Sequence, residues 1–219
     1  MIVEVCANSY ESAINAELGG ANRIELCKDL HLDGLTPDYD AAKKTIDKLN
    51  IPVFVLIRPR EGDFNYSNEE FELMKTDIVK FKEMGCKGIV SGVLNNDNTI
   101  NLERTKELVE LTRPLEFTFH RAFDKIIDPI KGLEELIEFG VDRVLTSGQE
   151  DSAIDGIKLI EELIEIAANR IAIMPGSGVK SDHINNFKAI GTNEIHGSFS
   201  KNNKTQIAIL ENLVSIIER

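Results

Sequence analysis

VEVCANSYESAINAELGGANRIELC, residues 3–27, decides how the rest of the chain reads. Its two ends alternate. Val3 and Val5 oppose Glu4 and Cys6, and Ile24 and Leu26 oppose Arg23, Glu25 and Cys27. A period of two marks a strand, and the longer run between the ends suits a helix. After the first strand the turn is Ala7, Asn8 and Ser9, without the GxGxxG glycines of a dinucleotide-binding open sheet.

The same strand–helix unit recurs outward from this segment. Strands are expected at 2–7, 23–27, 53–58, 88–92, 116–120, 143–147, 170–174 and 193–196. Phe71, Met74, Ile78 and Phe81 carry helical spacing. So do Leu133, Leu136 and Ile137, with Gly140 as a stop, then 157–167 and finally 207–217. An alternating β/α order implies a parallel sheet with its helices outside. Eight units with right-handed crossovers predict a single-domain (β/α)8 TIM barrel of the α/β class over residues 1–219. A doubly wound open sheet is the alternative. No linker or low-complexity run divides the chain, and the one long strand-to-helix loop is 59–67.

The 219 residues include 37 acidic and 25 basic ones, for a net charge of −12. That balance speaks against nucleic acid as a partner, which needs a basic face. It leaves room for a small anion, because a few local arginines outweigh a distant net charge. No apolar run is long enough for a membrane span. No basic-then-apolar leader opens the chain, so a cytoplasmic location is expected. Three cysteines make no disulfide framework and are expected as thiols. A homo-oligomer stays open.

In a TIM barrel the ligand site lies where the strands end. Cys6 and Cys27 close adjacent strands on equivalent faces, so both thiols fit one soft ion such as Cu(I) or Zn²⁺, or two small buried hydrophobes. Cys86 precedes the fourth strand, at the far end. Arg58 and Arg60 follow the third strand, His120 ends the fifth, and Ser147 the sixth. Gly176, Ser177 and Gly178 follow the seventh, and His196 and Ser198 lie at the eighth. The small-residue turns after strands seven and eight are the usual phosphate position of this fold, or plain turns that need glycine for their backbone angles. Glu25 and His120 are candidates for proton transfer. Glu4, Glu25, Arg58, His120 and His196 are expected to converge inside one end. Glu4 and Glu194 also suit a charge network that fills the interior.

Seven segments carry a resemblance to a known family. They are 3–27 as quoted, GLTP (34–37), VFVLIRPREGDFNYS (53–67), FTFHRAFD (117–124), RVLTSG (143–148), IMPGSGV (173–179) and EIHGS (194–198). In this order the chain resembles the CutC copper-homeostasis family along nearly its whole length. The resemblance implies a TIM barrel, intracellular copper handling, and Cu(I)-binding thiols at Cys6 and Cys27. A copper-handling protein is therefore the first expectation, with His120 as a candidate further donor. The chain departs from the family pattern at Ser177, which interrupts a run of glycines, at His183, which stands for an asparagine, and at Gly197 and Phe199. The second expectation is an enzyme or sensor for a small phosphorylated or otherwise anionic metabolite, held by Arg58, Arg60, Ser147, Ser177 and Ser198. A scaffold working through its acidic surface is a third.

Overall fold

The computed structural model describes all 219 residues. Eight parallel strands form one sheet: β1 (Ile2–Ala7), β2 (Arg23–Leu26), β3 (Val53–Leu56), β4 (Gly88–Ser91), β5 (Glu116–Phe119), β6 (Arg143–Thr146), β7 (Ala172–Pro175) and β8 (Glu194–Gly197). The order is β7-β6-β5-β4-β3-β2-β1-β8, so the sheet curls until its two outermost strands lie side by side. No hydrogen-bonded ladder joins β7 to β8, and this is the seam of a nearly closed barrel. The TIM-barrel expectation holds, and the open sheet does not.

Helices follow the strands: α1 (Tyr10–Leu18), α2 (Tyr39–Lys48), α3 (Asn68–Met84), α4 (Leu102–Thr112), α5 (Pro129–Glu138), α6 (Ile157–Ala167), α7 (Ile184–Ala189) and α8 (Ile207–Ile217). Local chemistry sets their ends. Before α3 the Ser67 hydroxyl accepts the Glu70 N–H and the Glu70 carboxylate accepts the Ser67 N–H, a reciprocal capping box. Gly85 then ends α3 in a left-handed conformation at φ 94°. Helix α8 is reached through a hairpin, β9 (Ser200–Lys201) and β10 (Lys204–Thr205), which sequence reading did not foresee. Its turn residues Asn202 and Asn203 both have positive φ, as a two-residue hairpin turn requires.

The outward residues of the strands, such as Val3, Val5, Ile24, Val55 and Ile89, pack under the helices in one apolar core. The inward residues are of a different kind. At the N-terminal end of the barrel Arg23 and Arg143 both bond Glu194, and Arg23 also pairs with Glu4. Most strands leave the ladder one or two residues before the sequence suggests, because their last residues turn into mouth loops. His120 shows how. It caps a short 3-10 turn at 121–125, its ring Nδ1 accepting the Ala122 N–H.

Candidate functional site at the barrel mouth

At the C-terminal ends of the strands the barrel opens into a cavity of about 320 Å³. Cys6, Glu25, Arg58, His120, His196 and the Ser177–Gly178 and Gly197–Ser198 turns all line it. These residues come from six different strands, and only the barrel brings them together.

The floor is a soft and acidic cluster. Register places Cys6 beside Glu25, and Glu4 beside His196. Cys6 Sγ lies 3.5 Å from Cys27 Sγ, and 3.4 Å from a Glu25 carboxylate oxygen to which it donates. Ligand atoms of Cys6, Glu25 and His196 all fall within 4.8 Å of one another. His196 Nδ1 bonds Glu4 at 2.8 Å. Glu4 therefore sits one layer below the mouth and orients His196, rather than lining the cavity as expected.

Charge follows from these contacts. Burial opposes ionisation of Glu4, yet Arg23 and His196 outweigh it and bring the carboxyl down to about 2. Burial also opposes a charged His196, but Glu25, Cys6 and Glu4 hold it well above the usual imidazole range. Burial pushes Glu25 up. The hydrogen bond to Cys27, with burial, pushes the Cys6 thiol up as well.

The opposite wall is cationic and aromatic. Arg58 Nη1 donates to the carbonyls of Leu32 at 2.7 Å and Gly34 at 2.9 Å, and Nη2 donates to that of Gly62 at 3.1 Å. Phe64, from the long loop after β3, lies under the Arg58 guanidinium at 5.2 Å and against the His120 ring at 4.8 Å. Burial, then the nearby Arg58 charge, lower His120 to about 3, so its imidazole is neutral.

Several expected residues take other work. Arg60 turns away from the cavity and ties its own loop to Asp63, the Asn65 carbonyl and Glu70. Ser147 is spent on Asp124 and the Glu150 carbonyl. Gly176 is a packing glycine, since a Cβ there would come within 2.5 Å of Leu145 and 3.3 Å of His196. The Ser177 hydroxyl donates to the Asp151 carbonyl, and that of Ser198 pairs with Ser200. Cys27 lies behind Cys6, buried against Leu56 and Phe54. His120 stands outside the thiol cluster, and the histidine grouped with Cys6 and Glu25 is His196. The sequence reading missed Phe64, Arg121 and Lys125 as lining residues. Their signal was position, because Arg121 and Lys125 follow directly on a strand end.

A family model described as the CutC family matches residues 1–201. The chain belongs to the CutC family. A CutC family protein of Photorhabdus laumondii is 42% identical over 91% of this chain and 80% of its own length. The human protein named copper homeostasis protein cutC homolog is 47% identical over 90% of this chain and 72% of its own. A solved CutC structure from Streptococcus agalactiae superposes with a TM-score of 0.86 at 33% identity, covering 90% of this chain and 98% of that one. An aldolase, QR15, has a TM-score of 0.71 at 14% identity, which speaks to the barrel fold alone. No helix of this CutC chain is long and apolar enough to cross a membrane.

Proposed function

We propose that this CutC protein handles copper in the cytoplasm and takes Cu(I) between Cys6 and Cys27 at the floor of the barrel mouth. The 3.5 Å separation of the two sulfurs carries this reading. With metal–thiolate bonds of roughly 2.3 Å, as for zinc, that separation subtends about 100° at a shared ion. Such an angle is far from linear and calls for a third donor. His196 supplies it. Its Nδ1 is engaged by Glu4, which leaves Nε2 for the ion, the carboxylate–histidine pairing common at metal sites. Thiolates and imidazole together suit a soft or borderline cation, whereas an all-oxygen set would suit calcium or magnesium. The names of the mouse and human relatives support copper as that cation.

Cu(I) titration against a competing chelator tests the site. Cys6→Ser with Cys27→Ser is expected to lose more than about a hundredfold in affinity, beyond the 10- to 100-fold typical of a supporting residue. Each single variant loses most of that. Cys86→Ser, buried just before β4, keeps the wild-type affinity. Undiminished binding in the double variant rejects the thiol site.

A further inference from the structure

Seven buried side-chain polar atoms in the protein have no partner, and three of them, Arg58 Nε, His120 Nε2 and Glu25 Oε2, belong to residues of the one mouth cavity. Buried donors without partners are rare in folded proteins, and each calls for a physical reason. Arg58 is 4% exposed and His120 5%, so bulk water does not supply one.

Arg58 has five N–H donors. Backbone carbonyls take three, and no carboxylate pairs with the guanidinium. Two N–H bonds remain, one of them on Nε, and the polar side chain close to them is the buried Tyr66 hydroxyl, itself without a well-formed hydrogen bond. An arginine fork with free donors matches the oxygens of a carboxylate or phosphate. At His120 the Ala122 N–H occupies Nδ1 at 3.2 Å, which puts the ring proton on Nε2. The imidazole is thus a neutral donor with a fixed tautomer. Its seat is shaped for it. A Cβ at Gly92 would come within 2.8 Å of the ring, and Phe64 bridges the ring to Arg58. At the rim, Lys125 is exposed and has no ion-pair partner, while Arg121 is held by Asp124 at 2.7 Å. The carboxylates of the lining are Asp33, exposed at the rim, and Glu25, engaged with Cys6 on the floor.

We propose that this wall binds a small organic oxyanion, a carboxylate or phosphate, bearing a carbonyl or hydroxyl oxygen beside it: Arg58 takes the oxyanion, His120 Nε2–H donates to the second oxygen, and Lys125 adds charge at the rim. A neutral imidazole favours an uncharged oxygen at its position. A cavity of about 320 Å³ is at the small end for ligand sites, the size of a short metabolite. The site uses neither thiol, so the oxyanion and copper readings stand or fall separately.

Calorimetric titration with matched pairs tests it. Pyruvate is compared with propionate, and dihydroxyacetone phosphate with ethyl phosphate, with inorganic phosphate alongside. In at least one pair the oxygen-bearing member is expected to bind about tenfold tighter, the worth of one good buried hydrogen bond. His120→Phe removes that advantage, and Arg58→Lys weakens both members. A response in the first pair alone identifies a carboxylated ligand, and in the second alone a phosphorylated one. Arg58 also ties three loop carbonyls, so circular dichroism checks that its variant folds. Lys125→Met, at an exposed position, provides a second variant and should weaken every oxyanion a few-fold. The proposal is overturned if no oxyanion binds wild type at millimolar concentration, or if the variants bind as wild type does.

Discussion

His120 and His196 look alike in the sequence, each at a strand end beside an apolar residue, yet the fold gives them opposite charge states. His196 sits between Glu4 and Glu25, while His120 sits beside Arg58 with no carboxylate on its ring. Position at the mouth was legible from strand periodicity. Charge was not, because each histidine's partners come from other strands, and register sets them. The difference is measurable in stability. Folded His120 titrates at about 3 and the unfolded imidazole near 6.5. Between those values the unfolded chain binds more protons, so stability falls as pH drops below about 6.5, by up to about 1.4 kcal/mol per unit. His196 runs the other way. Its contribution is complete below about 6.5 and is lost as pH rises through its elevated folded value. Urea unfolding at pH 7 and pH 5.5 separates the two. His120→Gln should lose about 1 kcal/mol less than wild type on that acidification. Equal losses would mean that His120 is not held neutral.

At the scale of elements, the eight strands were legible as short β-rich runs between helical ones, but the C-terminal limits of β2 to β6 were placed one or two residues too far along. Cys27, Arg58, His120 and Ser147 were read as the ends of strands and instead begin the mouth loops. A side chain that leaves the ladder aims by its loop's contacts, which periodicity does not report. Arg60 is the clearest case. Expected at the ligand, it binds Asp63, Asn65 and Glu70 and gives the 59–67 loop the shape that carries Phe64 over the cavity. Both of its ion pairs are substantially solvent-exposed. Arg60→Ala should therefore change global stability by less than about 1 kcal/mol. Amide hydrogen exchange in residues 61–66 should nonetheless quicken, because local opening is governed by local contacts. Unchanged protection there would show that the loop holds its shape without Arg60.

For the molecule as a whole, the interior of the barrel departs from the branched apolar layers usual for this fold. Glu194 begins β8 and reaches Arg143 on β6 and Arg23 on β2, strands on either side of the β7–β8 seam. Where backbone ladders do not join β7 to β8, this carboxylate links the strands beyond. The acidic half of the network was legible as alternation in β1 and β8. Arg143 was not singled out, because its partners Glu194 and Glu116 come from other strands and only register brings them to it. Breaking a buried pair from one side leaves the other charge short of compensation: without Glu194, Arg23 would keep Glu4, and Arg143 would keep only the half-exposed Glu116. Glu194→Leu keeps approximate size and removes the charge, so urea unfolding should show a loss of about 3–5 kcal/mol. Glu116 is the control. It also bonds Arg143, at 3.0 Å, but its side chain is 52% exposed. Water screens that pair, and Glu116→Leu should cost less than about 1 kcal/mol. Similar losses from the two substitutions would mean that charge at the N-terminal end matters only in sum, and that Glu194 does not stitch the seam.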